Sequence, residues 1–102
     1  MTCRLPIRLS PAAAEQIAVI SDWWRDNRPA AASFFLDELE RAFDLIRRQP
    51  NIGQIVTGAK SDRIRRVCLR RSRYHIYYQE SDEGEAIDLL TVWHTSRSEP
   101  PL

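Results

Sequence analysis

"RIRRVCLRRSRYHIYYQE", residues 63–80, places six arginines between positions 63 and 73 with no carboxylate among them, yet it alternates like a strand. Three strands read out of this region, at about 63–70, 73–80 and 85–94, linked by the short turns "RS" and "SDEGE". Alternation in the second of them puts Tyr74, Ile76 and Tyr78 on one face and Arg73, His75, Tyr77 and Gln79 on the other. In the last strand Ile87, Leu89 and Trp93 oppose Leu90, Val92 and His94, so both faces are apolar and a central position is expected, with Trp93 in the core.

Upstream, "CRLPIRL" (3–9) alternates with Leu5, Ile7 and Leu9 on one face, and Pro6 confines it to a sheet edge. Ser10 as N-cap and Pro11 at the first helical position start a helix. Ala13, Ile17, Ile20 and Trp24 carry its apolar stripe, and Asp26-Asn27-Arg28-Pro29 ends it. A second helix is expected from Pro29 through Arg48, with Phe35, Leu39, Ala42 and Ile46 as its stripe, widened by Leu36 and Phe43. Residues 49–62, with Pro50, Gly53 and Gly58, read as a loop, and residues 99–102 as a disordered tail.

The fold class is therefore α+β in the order β-α-α-β-β-β: an N-terminal edge strand, an antiparallel two-helix hairpin and a three-stranded antiparallel meander. The helices cover one sheet face of a single domain spanning 1–98.

At 102 residues and 43% hydrophobic, the chain suffices for one core. Cys3 and Cys68 are its only cysteines, too few for a disulfide framework or a zinc site, so a reduced cytoplasmic setting and no metal or cofactor are expected. No apolar run approaches the ~20 residues that cross a bilayer, so no membrane partner is expected.

The formal net charge of +1 hides an asymmetry: fourteen of the fifteen basic residues are arginine, the exception being Lys60. Arginine grips carboxylates and phosphates bidentately and stacks on planar rings. The acids Glu80, Asp82, Glu83, Glu85 and Asp88 follow directly and could neutralise the arginines across a hairpin.

Taken together, the Arg-rich strand, the "Y-x-I-x-Y" of Tyr74, Ile76 and Tyr78, and the ending "WHTSR" resemble the ParE/RelE toxin superfamily of bacterial type II toxin–antitoxin systems. "LSPAAAEQIAVISDW" and "RPAAASFFLDELERAFDLIRRQPNIGQ" resemble that family's two helices and following loop. The resemblance implies a toxin neutralised by a cognate antitoxin with an acidic tail and a ribbon-helix-helix head. Two targets are open: DNA gyrase, as for ParE-like members, or mRNA on the ribosome, as for RelE-like endonucleases. The "WHTSR" ending favours the ParE-like branch. RelE-type active-site lysines are missing from the second strand, and His94 is followed by Thr95 rather than by the tyrosine of another ribonuclease arrangement. A non-toxic protein- or DNA-binding module is the third reading.

Metal-free RNA cleavage needs a base for the 2′-hydroxyl, a donor for the leaving oxygen and cations for the phosphate. Candidates for that chemistry are His94, Arg97, Arg70, Arg71 and His75. Target-binding candidates are Arg65, Arg66, Arg70, Arg71, Arg73, Tyr77, His94 and Arg97, with Tyr77 suited to base stacking. Trp23 and Trp24 diverge by ~100° on a helix, so at least one is available to the antitoxin.

Overall fold

A computed structural model describes residues 5–59, 61–98, 100 and 102. Strand β1 (Ile7–Leu9) leads into helix α1 (Pro11–Asn27), a 3₁₀ turn at Pro29–Ala31 and helix α2 (Phe34–Arg48). Strands β2 (Gln54–Ile55), β3 (Arg65–Leu69), β4 (Tyr74–Glu80) and β5 (Ile87–His94) complete one five-stranded sheet in the order β1-β5-β4-β3-β2. The meander β3-β4-β5 is antiparallel as expected, but β1 runs parallel to β5, so the sheet is mixed. Cys3 and Arg4, the start of the expected first strand, lie outside the described residues.

Ser10 caps α1 by accepting from the Ala13 amide at 3.0 Å, while its hydroxyl donates to the Leu90 carbonyl at 2.8 Å. One side chain thus starts the helix and ties it to β5. The expected second helix is broken in two: Pro29 begins only a 3₁₀ turn, and the α-helix starts afresh at Phe34. The expected loop 49–62 also holds the two-residue β2, which pairs Gln54 with Arg66 and Ile55 with Arg65.

The core lies between the hairpin and one sheet face. Ala13 and Ile20 from α1 meet Phe35, Leu39, Ala42 and Ile46 from α2 over Leu69, Ile76, Tyr78, Ile87, Leu89 and Val92. Tyr78 is fully buried, and its hydroxyl donates to the Pro50 carbonyl and accepts from the Gly53 amide, both at 2.9 Å. Burial pushes the Tyr78 phenol above its ordinary value, only partly offset by the Gly53 amide and the Arg65 charge. A β-carbon at Gly53 would lie 2.6 Å from that hydroxyl, so the close approach requires glycine.

A β-bulge controls the far end of the sheet. Tyr77 pairs with Thr91 but Tyr78 pairs with Leu89, which leaves Leu90 as the extra residue. Gln16 from α1 supports the irregular backbone by accepting from the Thr91 hydroxyl and the Val92 amide, both at 2.8 Å. The inserted residue inverts the side-chain alternation beyond it. Val92 and His94 therefore join Ile87 and Leu89 on the helix side, whereas Trp93, expected in the core, turns to the opposite face and is only half-buried.

Candidate functional site

The six arginines of residues 63–73 divide among four settings. Arg63 pairs with Asp82 at 2.8 Å and donates to the Glu80 carbonyl, and hydrogen bonding to Asp82 raises its already high pKa. It is the only one of the six with a carboxylate ion pair among the described residues. Arg65 donates to the carbonyls of Asn51 (3.2 Å) and Gly53 (2.7 Å), which fastens the segment before β2. Arg66 reaches Gln54 at 3.4 Å on the sheet face away from the hairpin. Arg70, Arg71 and Arg73 are exposed in the β3–β4 turn.

Glu38 of α2 builds that turn. Its carboxylate accepts from the Arg71 amide (3.0 Å), the Ser72 amide (2.9 Å) and the Ser72 hydroxyl (2.7 Å). Burial pushes the Glu38 carboxyl up, but the Ser72 hydroxyl, the two amides and the Arg71 charge outweigh it and hold the group below its ordinary value. Arg73 adopts φ 65, the left-handed region, with its amide donating to the Leu69 carbonyl and its carbonyl accepting from the Thr95 amide. Sequence reasoning missed Glu38, because nothing in α2 distinguishes it from the other acids on the helix surface.

His94 sits at the end of β5 with its ring edge-on to Tyr74, 5.0 Å between centroids. The Ser96 amide donates to its Nδ1 at 3.1 Å, and the Ser96 hydroxyl lies 2.7 Å from the same nitrogen. An amide can only donate, so Nδ1 is an acceptor already engaged by Ser96, and Nε2 is the nitrogen left to donate.

His75 points the other way. It pairs with Trp93, on the face opposite Tyr74 and His94, and lies edge-on to Tyr77 at 6.0 Å. Burial lowers its pKa, helped by the Arg66 charge, which keeps the imidazole neutral. The two histidines therefore cannot act on one substrate as an acid–base pair. Tyr77 shares the His75 face but is only 2% exposed. The residues that line a small cavity with it include Val56, Thr57, Pro100 and Leu102, so its ring is not open for base stacking as expected.

The remaining candidates converge, except Arg70, which lines neither of the two grooves they share. Arg71 and Arg73 line a groove of about 480 Å³ with Trp23, Trp24 and Arg28. Arg97 lines a second groove of about 450 Å³ with Val19 and Ile20 of α1. Both grooves include Tyr74 and His94. Trp24 turns inward onto the core and stacks 5.4 Å from Phe34, while Trp23 stays 49% exposed and aligns with the 62% exposed Val19 four residues earlier. Arg97 lies 3.9 Å over the Trp93 ring, whose indole N–H donates to the Ser98 carbonyl. Sequence reasoning missed Arg28 and Val19, which become part of this surface only when α1 docks beside the β3–β4 turn. Among the described residues no His, Cys, Asp and Glu cluster could hold a metal ion, Cys68 is free and exposed, and no helix is long and apolar enough to cross a membrane.

This architecture is shared by known structures. The chromosomal ParDE toxin–antitoxin system of Pseudomonas aeruginosa matches with a TM-score of 0.70 at 15% identity, over 91% of this chain and 98% of that one. A mutant Escherichia coli RelE toxin in complex with an antitoxin RelBc peptide matches with a TM-score of 0.64 at 17% identity, over 95% and 86%. The RelBE2 toxin–antitoxin complex of Mycobacterium tuberculosis matches with a TM-score of 0.59 at 20% identity, over 89% and 98%. No curated protein matches the sequence. Residues 7–99 match the family described as ParE toxin of type II toxin-antitoxin system, parDE, and the chain belongs to that family of toxins.

Proposed function

We propose that the chain inhibits growth by acting on DNA gyrase rather than by cutting mRNA, and that a cognate antitoxin holds it inactive. The observation that carries this reading is the placement of His75 and His94 on opposite sheet faces, with Nδ1 of His94 already committed as an acceptor. Ribonuclease chemistry requires a base and an acid on the same phosphate. A gyrase inhibitor needs a binding surface instead, and the arginine-lined grooves around Tyr74 and His94 supply one.

The antitoxin docks, in this reading, on the exposed Val19 and Trp23 of α1 through an amphipathic helix, and an acidic tail approaches the nearby arginines. Aromatic contact holds the complex while charge sets its association rate.

The test is induction without antitoxin alongside assays of the purified chain. Loss of gyrase supercoiling with intact transcripts supports the reading; cut transcripts in a ribosomal translation mixture overturn it. Normal growth and unimpaired gyrase would make the chain a binding module. Trp23→Ala should raise the antitoxin dissociation rate, and an unchanged rate would move the docking site elsewhere.

A further inference from the structure

The two grooves concentrate positive charge on a chain that is almost neutral overall. Arg28, Arg71 and Arg73 line one and Arg97 the other, whereas among the described residues Glu15 is the single carboxylate lining either. None of the four arginines has a carboxylate ion pair among the described residues. Glu38 feels the Arg71 charge, but its oxygens are occupied by the Arg71 and Ser72 groups that fix the turn.

Two of these guanidinium groups are placed by aromatic rings rather than by acids. Arg97 lies 3.9 Å over Trp93, and Arg71 lies 5.9 Å over Phe34. Cation–π placement engages the flat face of a guanidinium and leaves its N–H edge free. That edge is the part that grips a phosphate. The backbone bonds of Glu38 hold the turn carrying Arg71 and Arg73 in place before any ligand arrives.

We infer that this arginine-lined end binds the phosphates of duplex DNA directly, which rests on the gyrase reading and adds that the toxin touches the DNA as well as the enzyme. Duplex DNA fits better than a single strand, because single-strand binding relies on open ring faces. Here Tyr77 is buried, Trp93 lies under Arg97 and Trp24 is stacked on Phe34, so Trp23, set edge-on to Trp24, is the one exposed aromatic ring among the described groove residues, too few to stack successive bases. Duplex DNA also fits better than an acidic protein. Its charge, about one per 1.7 Å of axis, is denser than the roughly one per 3.3 Å of even an all-acidic extended peptide, and bare guanidinium edges suit phosphate oxygens.

The experiment measures binding of the antitoxin-free chain to a labelled duplex of about 20 base pairs by fluorescence anisotropy, as salt rises from about 50 to 200 mM. Three to four phosphate contacts predict a log–log slope near −3, a loss of affinity of roughly sixty-fold across that range. Arg71→Ala, Arg73→Ala and Arg97→Ala should each flatten the slope by about one. Arg48→Ala, which removes a charge paired with Asp44 on α2, should leave it unchanged.

No binding at the lowest salt, or a slope that these three variants do not alter, overturns the inference. Equal binding to a poly-glutamate peptide of matched charge also overturns it and assigns the end to acidic protein. Supercoiling assays on the same preparations separate the two claims. A chain that inhibits gyrase without binding DNA refutes only this inference, and one that binds DNA without inhibiting gyrase refutes only the proposed target.

Discussion

Replacing Arg73 with glycine separates the fold's needs from those of the proposed target. At φ 65 an L-residue occupies the left-handed region, which costs about 1–2 kcal/mol through crowding of its β-carbon. Glycine escapes that cost but loses about 0.5–1 kcal/mol to the greater freedom of the unfolded chain. The two backbone hydrogen bonds of position 73, to Leu69 and from Thr95, survive the change. Arg73→Gly should therefore be as stable as the parent or gain up to about 1.5 kcal/mol, a rise in Tm of up to about 6–12 °C for a domain of this size. Arg73→Ala removes the same charge but keeps the strain, so it should melt near or below the parent. Both variants should lose growth inhibition. Calorimetric melting read beside growth arrest on induction decides the matter. A glycine variant that melts well below the parent would show that the Arg73 side chain holds the fold, and one that stays fully toxic would remove it from the working surface.

Tyr78→Phe should cost about 1–3 kcal/mol by urea unfolding, because the Pro50 carbonyl and the Gly53 amide lose their buried partner. Glu38 has a lowered pKa in the fold, so its stabilising share is complete above the ordinary carboxylate range and disappears as pH falls through the lowered value. Glu38→Gln should flatten that part of the urea midpoint against pH, and an unchanged acid limb would exclude the carboxylate. Trp93→Ala should cost less than the ~3–5 kcal/mol typical of a buried aromatic, since the ring is partly exposed under Arg97 on the face away from the core; a full-sized loss by urea unfolding would mean that the ring supports the core after all.

Most of the framework was legible in the sequence. Ser10-Pro11 and Pro29 bound α1 on local chemistry alone, and the apolar stripe Phe35, Leu39, Ala42 and Ile46 is the buried face of α2. The two tryptophans divide as adjacent helical positions must, one inward and one exposed. Harder to read were features that depend on distant partners. β2 is two residues long and exists because Arg65 and Arg66 offer it an edge. The sequence leaves open whether the following acids neutralise the arginines of 63–73, and among the described residues Arg63 alone of the six forms an ion pair with one of them. Asp88 instead pairs at 2.7 Å with Arg8, which β1 brings alongside β5.

The bulge at Leu90 has the largest consequence for function. Residues 87–93 carry apolar side chains at both parities, so the sequence pattern accommodates one frame as readily as the other. The choice is made by α1, whose Ser10 and Gln16 satisfy the displaced Leu90 carbonyl and Val92 amide. An uninterrupted strand would carry Trp93 into the core and put His94 on the face away from the hairpin. With the bulge, His94 instead meets Tyr74 beside α1, and its neighbour Trp93 becomes the platform for Arg97. The same single-residue insertion therefore separates the two histidines, which counts against nuclease chemistry, and gathers arginines and aromatics where α1 meets the β3–β4 turn. A surface assembled in this way is suited to binding, because its groups are held by helix-to-sheet contacts.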